Sequence, residues 1–154
     1  MDPRSWKRIL VPTDFSDPST EAVATAIAFA RLSNATLDLV HVAVEANYVL
    51  PPPVDVAPVA IDMSNIMAHI SESLAAEQAR VRDAGIPCES AVLVGRPETE
   101  IVSRATEKHA ELIVMGTHGR SGLAHALLGS IAERVVQHAP CPVLIVPRRA
   151  ARAA

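Results

Sequence analysis

The sequence has little with which to build an aromatic core. Of its 154 residues only Trp6, Phe15, Phe29 and Tyr48 are aromatic, so Val, Ile, Leu and Ala must fill the interior. Cysteine is equally scarce. Cys88 and Cys141 stand apart, with no CxxC pair and no metal-type cluster beside them, and read as small buried hydrophobes. No uninterrupted apolar run approaches the roughly 18 residues of a membrane span, and the N-terminus, Met1-Asp2-Pro3-Arg4-Ser5-Trp6-Lys7-Arg8, lacks the apolar stretch of a signal peptide. The chain therefore reads as soluble and cytoplasmic. A basic face is missing too: the net charge is −3, and Arg148, Arg149 and Arg152 place three of the fourteen cations in the last seven residues. That balance argues against nucleic acid or a membrane as partner, and leaves the short tail over 148–154 as a solvated terminus. Glycine is scarce and unevenly spread. Of six in all, Gly116, Gly119, Gly122 and Gly129 crowd into fourteen consecutive residues.

What is present suits one folded domain over 1–147. The residues are 49% apolar and 20% charged, and a chain of this length can bury about 70% of its unfolded surface. Five short runs rich in β-branched residues stand out: Ile9–Val11, Leu37–Val44, Ala91–Val94, Leu112–Met115 and Val143–Val146. Most are apolar at successive positions, as in strands covered on both faces. Helical patterns separate them. One starts at Asp17-Pro18 and carries Val23, Ile27 and Ala30; a longer one places Ile66, Ile70, Leu74 and Val81 on a stripe that Gly85 ends. A third starts near Pro97 with Glu98 and Glu100 in its first turn, and a fourth runs from Gly129-Ser130 to about His138. The alternation predicts a doubly wound α/β domain, a mostly parallel five-stranded sheet with helices on both faces; the strand order taken for it is 3-2-1-4-5. Residues 46–63 fit no element. With Pro51-Pro52-Pro53 and Pro58 they read as a long loop, either functional or a variable surface feature.

Ligands of such sheets bind beyond the carboxyl ends of the strands. The fourth strand has the richest sequel there, Gly116-Thr117-His118-Gly119-Arg120-Ser121-Gly122, followed by Gly129-Ser130 at the mouth of a helix. Glycine-rich backbone exposes N–H groups, and a helix N-terminus adds free donors and a positive dipole. A phosphate would lie between the two, held by backbone N–H groups, the Ser130 hydroxyl and Arg120. Ser130 and Glu133 also have the spacing of a capping box, which would account for the serine without a ligand. The pattern is not GxxxxGK[ST], and no lysine follows Lys108; nor is it GxGxxG.

The pattern that remains, G-x2-G-x9-G-S, closely resembles the ATP-binding motif of the universal stress proteins. The resemblance covers most of the chain: Lys7 to Ser16, Leu39-Val40-His41-Val42, Val94-Gly95-Arg96-Pro97, Leu112 to Gly119, and Ala139 to Pro147. It implies an adenine nucleotide alpha hydrolase-like fold and ATP, with or without Mg²⁺, as ligand. By that resemblance Asp14 sits by the adenine or ribose, Val42 packs on the base, and Pro12 and Thr13 shape the same wall. Met115 and Gly116 approach the ribose and phosphates, and His118 flanks their loop. Gly119, Arg120, Gly129, Ser130 and Ile131 surround the phosphates, mostly through backbone atoms. Arg120 stands where some relatives carry lysine. The resemblance also implies a homodimer joined through Pro142-Val143-Leu144-Ile145-Val146, which an edge position would otherwise leave exposed.

Three classes of function compete. A nucleotide-dependent stress-response regulator, whose occupancy sets shape or partner choice, is the leading reading. A slow Mg²⁺-dependent ATPase or phosphotransferase is the second, although no base–nucleophile pair stands out, and another adenine nucleotide such as cAMP is an alternative ligand. A receiver domain is the third, and it fails: Gly95 and Pro147 stand where the phosphoacceptor Asp and the Lys should be. Single residues have plainer readings as well. Asp14 serves equally as a helix-entry cap with Ser16, His41 reads as packed under a helix, and Arg134 as the partner of a nearby acid.

Overall fold

The computed structural model describes residues 6–44, 63–117 and 128–147. Along them run β1 (Arg8–Pro12), α1 (Asp17–Ser33), β2 (Thr36–Ala43), α2 (Met63–Asp83), β3 (Cys88–Val94), α3 (Pro97–Glu107), β4 (Leu112–Gly116), α4 (Ser130–His138) and β5 (Val143–Val146). Every neighbouring pair of strands is parallel, in the order β3-β2-β1-β4-β5. The expected architecture is thus the observed one. The basic tail and nearly all of the 46–63 loop lie outside the described residues; Met63, assigned to that loop from sequence, opens α2 instead.

The two-residue period of a strand sorts its side chains between two cores. Ile9, Val11, Leu37, Leu39, Leu112 and Val114 face α1 and α2, while Leu10, Val40, Ile113 and Met115 face α3 and α4. α1 meets the sheet through Ala22, Val23, Ala26 and Ala30, a stripe small enough to let the helix lie close. Pro18 supplies its pre-set first turn, and Asn34, left-handed at φ 53°, ends it. Gly85, at φ +82°, turns the chain out of α2 as expected.

Two features depart from the sequence reading. The apolar stripe of α2 is covered only in its second half: Leu74 and Val81 are buried, but Ile66 is 41% exposed. β3 begins three residues earlier than its apolar run, because Cys88, Glu89 and Ser90 pair with Leu37, Asp38 and Leu39 of an already formed neighbour. Asp38 itself, inside β2, is 0% exposed. Arg104 of α3 grips it with Nε to Oδ2 at 2.8 Å and Nη2 to Oδ1 at 3.1 Å, a bidentate pair that anchors the helix to the sheet.

Candidate functional site

At the carboxyl end of the sheet, between β1 and β4, the chain leaves neighbouring strands for opposite faces. A cavity of about 420 Å³ opens there, within the range of small-molecule sites. Its floor is apolar, formed by Val40, Val42 and Met115 of the sheet with Ile101 of α3. One wall is Pro12, Thr13 and Asp14, just past β1; the other is Gly129, Ser130, Ile131 and Ala132, where α4 begins. Gly116 and Thr117 join the two. The structure therefore brings together Pro12, Thr13, Asp14, Val42, Met115, Gly116, Gly129, Ser130 and Ile131 around one space. His118, Gly119 and Arg120 lie outside the described residues.

The first wall is held in place by Thr13. Its N–H donates to Val40 O at 2.8 Å, continuing the ladder with β2. His41 Nδ1 sits 2.9 Å from Thr13 O, and the Phe15 N–H donates to Thr13 Oγ1 at 3.2 Å. The Thr13 hydroxyl in turn donates to Ser19 Oγ at 3.2 Å, and Ser19 Oγ to Ser16 O at 2.9 Å. Phe15 adopts φ 63° and stacks on the His41 ring at 4.8 Å. A left-handed non-glycine residue costs about 1 kcal/mol or more and persists only where its surroundings impose it. Asp14 Oδ1 accepts the Ser16 N–H at 3.0 Å and the Ser16 hydroxyl, which closes a tight turn before α1. Ser16, not Asp14, occupies the N-cap position, and it makes no side-chain cap.

The second wall corrects the capping-box expectation. Gly129 is the N-cap of α4, with φ −65° and ψ 148°, and no side chain caps the helix. Ser130 is already its first residue and lines the cavity instead of bonding back to the helix. The first-turn N–H groups of α4 are thus left by side chains at the cavity's edge, where the helix dipole favours an anion. Gly129 N–H donates to Thr117 O at 2.8 Å, which ties the start of α4 to the chain just past β4 on this rim. At the side of the site Arg96 and Arg134 both donate to Glu98 Oε1 at 2.9 Å, the acid partner expected for Arg134. The Glu98 backbone N–H, and then these arginines, hold its carboxyl below the usual range.

Sequence reasoning missed several contributors. His41 is half-buried and lines the cavity rather than packing under a helix, because its ring turns toward the Thr13 carbonyl. Ser19, Pro97 and Ile101 also line the space, and nothing local marks them. Glu77 of α2 is 6% exposed, and burial raises its pKa. The two thiols are free, and burial raises both, Cys88 to about 11, so neither is an activated nucleophile. Among the described residues no cluster of three or more His, Cys, Asp or Glu could hold a metal ion, and no helix is long and apolar enough to cross a membrane.

Comparisons with known proteins converge on one family. The universal stress protein family model matches residues 5–147. Universal stress protein MJ0531 of Methanocaldococcus jannaschii is 38% identical, with 93% of this chain and 83% of the relative aligned. Universal stress protein YxiE of Bacillus subtilis is 34% identical over 92% of this chain and 99% of its own. Among solved structures, MJ0577 of M. jannaschii superposes with a TM-score of 0.80 at 28% identity, covering 96% of this chain and 99% of that one. A universal stress protein in complex with cAMP gives 0.70 at 29% identity over 94% and 99% of the two chains. The Archaeoglobus fulgidus protein in complex with dAMP gives 0.64 at 28% over 92% and 98%.

Proposed function

The chain belongs to the universal stress protein family, and from that premise we propose that its cavity binds an adenine nucleotide, with ATP as the physiological ligand. The observation that carries the reading is the polarity of the cavity. A carboxylate, Asp14, stands at one wall, an apolar floor of Val40, Val42 and Met115 lies between, and an uncapped helix N-terminus forms the other wall. A nucleotide has parts to match each of these: hydroxyls and an exocyclic amine that donate to a carboxylate, a flat base that packs on an apolar surface, and phosphates that accept from backbone N–H groups. The complexes of relatives with cAMP and dAMP support adenine recognition within the family. His118, Gly119 and Arg120 would complete the phosphate side, with Mg²⁺ as the companion of a triphosphate.

In this reading occupancy, rather than turnover, is the output. The protein acts as a cytoplasmic regulator whose bound nucleotide sets its shape or its choice of partner, and it works as a homodimer joined through β5. The test is to denature the purified protein and identify any released nucleotide, then to follow thermal unfolding with ATP·Mg²⁺, AMP and cAMP. Ligand at 100 times its Kd adds about 2.7 kcal/mol, a rise of roughly 5–11 °C for a chain of this size. Release of ATP and a shift of that order support the proposal. No nucleotide and no shift with any of the three would remove it.

A further inference from the structure

His41 touches both the residue before Asp14 and the residue after it. The register of β1 with β2 ends at Pro12↔Val40. One more backbone bond, from the Thr13 N–H to Val40 O at 2.8 Å, holds the chain as it leaves the sheet. From there the His41 side chain takes over, with Nδ1 at 2.9 Å from Thr13 O. A carbonyl oxygen has no proton to give, so Nδ1 carries the hydrogen and donates it, whether the ring is neutral or charged.

The same ring stacks on Phe15, with centroids 4.8 Å apart and planes 17° from parallel. Phe15 is the wall residue held at φ 63°, a conformation that an aromatic residue does not adopt by preference. That left-handed step turns the chain back. It brings the Ser16 N–H within 3.0 Å of Asp14 Oδ1 and the Ser16 hydroxyl onto the same atom. Both bonds from Ser16 fall on Oδ1, so Oδ2 is the oxygen that the turn leaves to a ligand. Thr13, Asp14 and His41 all line the cavity.

We propose that His41 is a positioning residue for the nucleotide site: from β2 it fixes Thr13 and Phe15, and so sets the direction in which Asp14 presents its carboxylate. The inference deepens the nucleotide reading and rests on it for the ligand, though not for the geometry of the turn. The two contacts are of different kinds and act on opposite sides of Asp14. Thr13 C=O and Asp14 N–H belong to one planar peptide group, so a hydrogen bond to the oxygen also orients the Asp14 backbone. Ring stacking holds Phe15 on the other side. Between two fixed neighbours Asp14 has little freedom left to lose, and less ordering of the wall is charged against binding.

The experiment measures ATP·Mg²⁺ affinity by calorimetric titration, and amide hydrogen exchange without ligand, in wild type and in variants of His41 and Asp14. His41→Ala should bind about tenfold more weakly. His41→Asn keeps an N–H donor for Thr13, and His41→Phe keeps a ring for Phe15. Both should fall between wild type and Ala; either one as weak as Ala would overturn the two-sided contact. The double variant separates this role from general packing. Where His41 acts through Asp14, adding His41→Ala to Asp14→Ala should change affinity by less than about twofold, and an equal loss in both backgrounds sinks the proposal. Exchange reads the turn directly. In His41→Ala the Phe15 and Ser16 amides should exchange faster, while the Gly95 amide, bonded to Ala43 O, keeps its rate. Rates as in wild type, or equal acceleration of all three, refute the proposal even where binding is too weak to compare. Should wild type bind no ATP, AMP or cAMP, the nucleotide reading falls, and exchange alone decides on His41.

Discussion

Asp38 and Arg104 show how far one side chain's environment can govern the fold. A charge inside a strand is expensive unless it is paired and hydrogen-bonded, and here the pair is bidentate, with Asp38 fully enclosed and Arg104 nearly so. Asp38 holds the Arg104 guanidinium more firmly in its charged form, chiefly by hydrogen bonding. Replacing Arg104 by Ala should therefore cost about 3–5 kcal/mol, because Asp38 would remain buried without a counter-charge. Urea unfolding would show this as a lower midpoint with an unchanged slope, and Asp38→Asn in the same background should recover part of the loss. A loss below about 1 kcal/mol would mean that water reaches Asp38 and that the pair is not an anchor. In the sequence Asp38 interrupts an apolar run with no sign of its partner, which lies sixty-six positions away.

At the scale of elements, the crowded glycines divide by cause. Gly116 ends β4 against the start of α1: a Cβ there would stand 2.9 Å from the Pro18 carbonyl carbon. Its lack of a side chain is a packing requirement, whatever the cavity holds. Gly129 is different, with an ordinary φ of −65° at the open N-terminus of α4. Gly116→Ala should lower stability by about 1–3 kcal/mol with or without nucleotide, as overpacking does. Gly129→Val should leave the far-UV spectrum intact and cost about 1 kcal/mol or less, but abolish the thermal shift with ATP·Mg²⁺, since its branched side chain would stand at the cavity's edge where the proposed ligand's phosphates would lie. Equal effects of the two substitutions on the nucleotide-induced shift would refute this division. Sequence spacing could group these glycines but not separate them, because the Pro18 contact exists only once α1 lies across β4.

The whole molecule adds two consequences of strand order. With β1 beside β4, Asp14 and Ser130 face one another across a single cavity despite their distance along the chain. With β5 at the edge, a wholly apolar strand, Val143–Val146, is paired on one side only and half-buried throughout. Such an edge invites pairing with a second copy about a two-fold axis. Lys in place of Val143 or Ile145 should yield monomer or aggregate; an unchanged dimer by light scattering would show that the copies meet elsewhere, and a monomeric wild type would remove the dimer altogether.

Local pattern alone determined the element types and most of their order, because β-branched runs and three-to-four-residue periodicity are properties of neighbouring residues. It also placed the helix entry at Gly129, where backbone preference is written in residue type. Tertiary structure decided what those elements do for one another. It alone put His41 against Thr13, turned Ser130 toward the cavity rather than into a cap, and enclosed Asp38 with Arg104. Each of these depends on burial and on partners distant in the chain, and a side chain's protonation and bonding are set by what surrounds it after folding, not by what precedes and follows it in the sequence.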